Sequence, residues 1–226
     1  MFAYFHGVRK RLTKDFDCYL SPDDAAVIVI DMTKAHCDAK GPCPSPRGMQ
    51  ILGDMEAFLA SARKLGVPVI HVKTKYRKGS IDGWLEWRRV YPMTVGPIPN
   101  IGEHAIEGSK WAESMIRIHP EDHLVDTKKS LSVFKYTDTE LLLRCLGRKT
   151  LVLTGLMTDC CVINSAFDAQ NLRFRVVVPR NLTRGFSEEL EDAAFKMISL
   201  HLGLVVDSKD LVDEWRRRSA GSRRRK

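Results

Sequence analysis

The stretch Thr150-Leu-Val-Leu-Thr-Gly-Leu-Met-Thr-Asp-Cys-Cys-Val162 constrains this chain more than any other. Leu151 to Leu153 is an apolar, branched run of the kind that forms a strand buried on both faces. Gly155 breaks the run, Thr158 and Asp159 are helix N-cap types, and Cys161 to Gln170 continues at helical spacing. The pattern predicts strand, tight turn and helix, with Cys161 in the first helical turn. Unpaired N–H groups and the helix dipole favour an anion there, and a thiolate is an anion. The residues alone leave two readings: a nucleophile with backbone N–H groups around it, or two small buried hydrophobes at Cys160 and Cys161.

Further apolar runs repeat the strand signal at Ala25 to Ile30, Val67 to Val72, Phe174 to Val178 and Leu204 to Val206, with a weaker one at His123 to Thr127. Helical patterns lie between them, at Met49 to Leu65, Thr137 to Leu146, Ser187 to about Leu202 and from Ser208 onward. Strands alternating with helices predict an α/β fold on a parallel sheet. We divide the chain into an N-terminal arm over 1–24, a body over 25–215 and a basic tail over 216–226. Residues 76–108 read as a long loop that covers a site or meets another subunit. Asp31 ends the first strand, where open α/β sheets place their sites, and it either serves chemistry or caps the next loop. Lys128 and Lys129 reach the same end of the sheet from the third strand. His71 alternates with apolar neighbours and reads as a satisfied core or rim histidine.

Composition removes several classes. No apolar stretch approaches the ~20 residues of a membrane span, and Met1 to Lys14 does not read as a signal peptide, so a soluble, cytoplasmic protein is expected. Six cysteines in no framework-like spacing suggest free thiols. The formal charge is +8, but Arg216, Arg217, Arg218, Arg223, Arg224, Arg225 and Lys226 follow the last apparent element, so the body is nearly neutral. Nucleic acid is therefore not expected as a partner; the tail reads as a disordered, solubilising terminus or a polyanion contact.

Three separated pieces carry a resemblance. Val29-Ile-Asp31-Met32, Lys129-Ser-Leu-Ser-Val-Phe134 and Thr154-Gly-Leu-Met-Thr-Asp-Cys-Cys-Val162 resemble, in order, the first-strand, lysine and nucleophile motifs of the isochorismatase-like cysteine hydrolases. The resemblance covers roughly Val27 to Val206. It implies a three-layer sandwich on a six-stranded parallel sheet, order 3-2-1-4-5-6, and hydrolysis of a small amide or ureide through an Asp31, Lys129, Cys161 triad. It also implies a cis peptide between Leu156 and Met157, an oxyanion hole from the N–H groups of Met157 and Cys161, and a homodimer or homotetramer. By position, His36 stands where relatives offer an aromatic to substrate, and Lys34, Phe134 and Arg77 are further substrate-binding candidates. Metal-binding members carry an Asp-x-His and a further His after the second strand. This chain reads His71-Val-Lys-Thr-Lys-Tyr-Arg77 there, so neither a metal nor another cofactor is expected. Members acting on isochorismate lack the cysteine. The alternative to an enzyme is a catalytically silent scaffold or binding protein, which the intact triad opposes.

Overall fold

The computed structural model describes residues 1–45, 47–83 and 85–223; Pro46, Trp84 and 224–226 lie outside the described residues, as do the side chains of Leu85, Ser222 and Arg223. In chain order the main elements are β1 (Phe2–Phe5), β2 (Val8–Arg11), β3 (Ala25–Ile30), α1 (Lys34–Cys37), α2 (Leu52–Lys64), β4 (Val69–Thr74), α3 (Leu85–Val95), β5 (His123–Lys128), α4 (Thr139–Cys145), β6 (Thr150–Leu156), α5 (Ile163–Asn171), β7 (Arg175–Pro179), β8 (Thr183–Arg184), α6 (Glu188–Met197), β9 (Gly203–Val206) and α7 (Ser208–Arg223).

The sheet runs β2-β1-β9-β7-β6-β3-β4-β5, with β8 beside the end of β6. The pairs β3–β4, β3–β6, β4–β5, β6–β7 and β7–β9 are all parallel. Counted as first to sixth, these strands stand in the expected order 3-2-1-4-5-6. Their apolar runs are continuous because both faces are covered. Val27 and Val29 join a core with Met55, Phe58, Leu59, Leu211 and Trp215, under α2 and α7. Ala26, Ile28 and Ile30 join a second core with Leu143, Ile163, Ala166 and Phe195, under α4, α5 and α6. A strand alternates its side chains between faces, so one run fills both layers. This is the α/β three-layer sandwich.

Three expectations are corrected. The arm is part of the sheet: β1 and β2 form a hairpin, and Tyr4 pairs antiparallel with Val205 of β9. Segment 76–108 contains a helix, α3, which accommodates Pro92. The tail is not disordered from residue 216, because α7 continues to Arg223, and Arg218 bonds to Glu214 and to Asp17 of the arm.

The chain leaves the central strands β3 and β6 in opposite directions, which opens a crevice at their carboxyl ends. Gly155 lets the two come this close. It has φ +99°, and a Cβ there would stand 2.1 Å from the Ile30 carbonyl oxygen, so any other residue would force the strands apart.

Candidate active site

Asp31 follows β3 with φ +50°, a strained value for a non-glycine residue, and it is 1 % exposed. Its backbone N–H donates to the Val72 carbonyl at 3.0 Å, and its Oδ1 accepts from the Thr74 N–H at 2.7 Å. Its Oδ2 accepts from Lys128 Nζ at 2.6 Å. Lys128, also 1 % exposed, donates in addition to Thr74 Oγ1 at 2.9 Å and lies 3.4 Å from Cys161 Sγ. One buried ammonium thus joins a carboxylate and a thiol.

This corrects the lysine of the expected triad. Lys129 points away: its Nζ donates to the Lys75 carbonyl oxygen and pairs with Asp82 at 3.0 Å. The cause is local. The β4–β5 register shifts between Val72 and Thr74, so Lys128 lies opposite Thr74 and turns inward with Val125. Two adjacent lysines differ by one step of strand parity, which the sequence does not count across a bulge.

Burial alone would raise the Asp31 carboxyl, but the Lys128 charge, His36 and the two hydrogen bonds outweigh it and hold it down to about 2. Burial would lower Lys128, yet Asp31 and Cys161 raise it above the ordinary lysine value. Both groups are therefore charged near neutral pH. Cys160 and Cys161 titrate together. The hydrogen bond between their thiols lowers Cys160 and, with burial, raises Cys161 well above the ordinary thiol value, while Lys128 favours the anion on both. Of the two sulfurs, Cys161 Sγ is the one that Lys128 Nζ approaches, at 3.4 Å. Burial pushes the Cys37 and Cys43 thiols up to about 12.

Cys161 lies in a π-turn, Thr158–Val162, that leads into α5. Such wide turns recur at functional sites. Thr158 and Asp159 do not cap the helix, as their types suggest. Thr158 Oγ1 shares a 2.8 Å hydrogen bond with Thr183 Oγ1, and Asp159 Oδ1 accepts from the Phe186 N–H at 2.9 Å. Both tie the turn to β8 and the loop after it. The Leu156–Met157 peptide is cis.

Asp31, Lys128, Cys161, Met157 and His36 line one cavity of about 60 Å³, closed partly by Trp87 of α3. The other substrate-binding candidates are elsewhere. Lys34 is paired with Glu113 and Arg77 with Asp82, both near the surface. Phe134 stacks on Phe174 at 6.0 Å and packs against the core under α4 and α5. His71 is a satisfied core histidine, with Nε2 3.1 Å from Asp122 Oδ2.

Thr74, Tyr76, His104 and Cys43, which the sequence did not single out, complete the wall with Cys160. Thr74 was beyond the expected end of its strand. Three further side chains, His36, Cys43 and His104, come together at this wall. They arrive from three separate segments, and no spacing rule links them. Burial lowers both imidazoles, so both rings are neutral near pH 7.

The family model for the isochorismatase domain matches residues 25–210. The chain belongs to the isochorismatase family. It is 26 % identical over 192 residues to a maleamate amidohydrolase of Pseudomonas putida, covering 84 % of this chain and 86 % of that protein. It is 25 % identical over 206 residues to the ureidoacrylate amidohydrolase RutB of Agrobacterium fabrum, covering 84 % and 90 %. Among solved structures, a cysteine hydrolase from Pseudomonas syringae pv. phaseolicola superposes with a TM-score of 0.78 at 21 % identity, covering 88 % of this chain and 95 % of that one. That likeness is one of fold. No helix among the described residues is long and apolar enough to cross a membrane.

Proposed function

We propose that this chain is a cysteine-dependent amidohydrolase that cleaves a non-peptide C–N bond in a small amide, ureido or carbamoyl compound. The observation that carries the reading is the buried Lys128 Nζ, 2.6 Å from Asp31 Oδ2 and 3.4 Å from Cys161 Sγ, on the wall of a cavity partly closed by Trp87. Membership of a family with maleamate and ureidoacrylate amidohydrolases supports the bond type.

Asp31 takes the Cys161 thiol proton, and Lys128 stabilises the resulting thiolate. The sulfur adds to the substrate carbonyl. The N–H groups of Met157 and Cys161 receive the oxyanion. Asp31 passes its proton to the departing nitrogen, and ammonia or an amine leaves a thioester on Cys161. Asp31 then activates a water that hydrolyses the thioester, which frees the acid and restores the thiol. His36 contacts substrate from the facing wall.

The test is release of ammonia from a panel of small amides, ureides and carbamoyl acids by wild type and by Cys161→Ala. Turnover of at least one class, abolished in Cys161→Ala with the fold retained, is the expected result. Turnover that survives in the folded variant would overturn the cysteine mechanism, and an inert wild type across the panel would overturn the substrate class.

A further inference from the structure

Three side chains that the proposed bond cleavage does not require as acid, base or nucleophile meet on the cavity wall. His36 comes from α1, Cys43 from the loop after it, and His104 from the segment between α3 and β5. All three are buried, and their ring nitrogen and sulfur atoms lie within 4.8 Å of one another. His36 Nδ1 stands 3.0 Å from the Cys43 carbonyl oxygen. A carbonyl oxygen only accepts, so Nδ1 carries the ring proton and Nε2 presents a bare lone pair. That lone pair faces His104 Nε2 at 3.3 Å.

A direct ring-to-ring hydrogen bond would make His104 Nε2 the donor. Its Nδ1 is buried without a partner among the described residues whether Nε2 donates or ligates. A cation between the rings uses the Nε2 lone pairs of both. Ligand nitrogens roughly 2.0–2.1 Å from a tetrahedral centre stand about 3.3–3.4 Å apart, which matches the separation found. The contact from His36 Nδ1 to a backbone carbonyl is the outer-shell bond that usually orients a metal-bound imidazole.

We propose that His36, Cys43 and His104 form a site for one zinc-type divalent ion, with its fourth position open to the cavity shared with Cys161. Two imidazoles and a thiolate are a borderline-soft set that selects Zn²⁺ or Co²⁺ over Mg²⁺ or Ca²⁺. Binding breaks the Cys43 S–H bond, forms a metal–sulfur bond and releases that proton to solvent, so the site changes from neutral to a net charge of +1. His36 and Cys43 precede the second strand and lie outside the region where metal-binding relatives carry their Asp-x-His motif. The inference does not depend on the hydrolytic reading, since an inactive chain would bind the ion equally well.

The full chain, stripped with a chelator and checked for fold by circular dichroism, is titrated with Co²⁺ and separately with Zn²⁺ under elemental analysis. Uptake of one equivalent is expected, with visible bands of a tetrahedral Co²⁺ centre and a near-ultraviolet sulfur-to-cobalt band. Cys43→Ser should lose the sulfur band. His104→Gln should weaken binding on the order of 10–100-fold or more. Cys161→Ser and Cys160→Ser should retain the band, which separates this site from the reactive thiols. Absence of stoichiometric uptake by wild type, or a sulfur band that follows Cys161 rather than Cys43, overturns the proposal.

Discussion

The Lys128 ammonium is buried between a carboxylate and a thiol, so its removal strands Asp31 as an unpaired charge. Breaking a buried ion pair from one side typically costs about 3–5 kcal/mol. Lys128→Met should therefore lower stability in urea as well as turnover, the latter by roughly 10²–10⁴-fold, the size of an acid–base contribution. Lys129→Ala disturbs only the Asp82 and Lys75 contacts and should retain most activity. If Lys129→Ala abolished turnover and Lys128→Met did not, the assignment of the bridging ammonium would be wrong. The same comparison applies to the thiols: iodoacetamide should label Cys161 and lose its target in Cys161→Ala, whereas Cys160→Ala should still turn over substrate.

Asp31 also sets an acid limit. Its folded value of about 2 lies below the ordinary carboxylate value near 3.9. A depressed acid contributes stability that is complete above the unfolded value and vanishes as pH falls through the folded one. The urea midpoint should decline between about pH 4 and pH 2, by an amount on the order of 2 kcal/mol for this group. Asp122, held at about 2 chiefly by Arg63 against its own burial, declines in the same window. Asp31→Asn should flatten part of that slope. An unchanged slope would mean that Asp31 is not held ionised by Lys128.

At the scale of elements, α3 carries the cation on which we test the charge of the substrate. The notion of an acid-bearing substrate needs an unspent cation near the cavity, and most candidates are spent. Lys34 is held by Glu113, and Arg89 lies toward Glu86 at the surface. Arg88 differs: its Nη2 is buried without an acceptor among the described residues, and its guanidinium lies 5.8 Å from the centroid of Tyr76, a cavity-wall residue. We predict that acid substrates outperform their neutral amides and that Arg88→Ala narrows this gap, through a loss of about 1.5–3 kcal/mol in kcat/KM for the acid alone. Equal losses for acid and amide would assign Arg88 a packing role instead.

The elements were unequally legible. Strands β3, β4, β6 and β7 stood out because burial on both faces leaves continuous runs of Val, Ile and Leu. The N-terminal hairpin did not, since β2 is exposed along its whole length and β1 fully buries only Ala3, so the ribbon carries no apolar alternation. Its turn at His6-Gly7, with φ +51° and +83°, was the available signal. Helix α3 hid behind Pro92. In the site, Asp31 and Cys161 were readable because each ends or begins an element at the carboxyl edge of the sheet. Cys43 and His104 were not, nor was the choice of Lys128 over Lys129, since a β-bulge and two loops decide where these side chains point.

For the whole molecule, α7 joins the two ends of the chain. Trp215 is fully buried against Phe58 at 5.8 Å between centroids, and Arg218 reaches Asp17. Trp215→Ala should cost about 3–5 kcal/mol. Deleting residues 216–226 removes the end of α7 and the pairs of Arg217 and Arg218 with the largely buried Glu214, but none of the residues described at the active-site cavity. We expect a loss of about 1 kcal/mol and little change in turnover. A large fall in turnover at constant salt would show that this helix end completes a site in a second copy.

The pairing of β3 with β6 has a consequence for how the chain comes into being. Residues 25–30 must find 150–155 before the centre of the sheet exists. A nascent chain emerging from the ribosome therefore carries β3 with one long apolar edge bare while more than half of the protein is still unmade. Loop closure over that distance opposes early docking, and bare strand edges recruit other chains. Synthesis rate and chaperone supply should thus govern soluble yield more than the stability of the finished fold does. Slowing translation upstream of codon 150 should lower the yield, whereas a pause placed after codon 206, once every parallel strand has been made, should leave it unchanged.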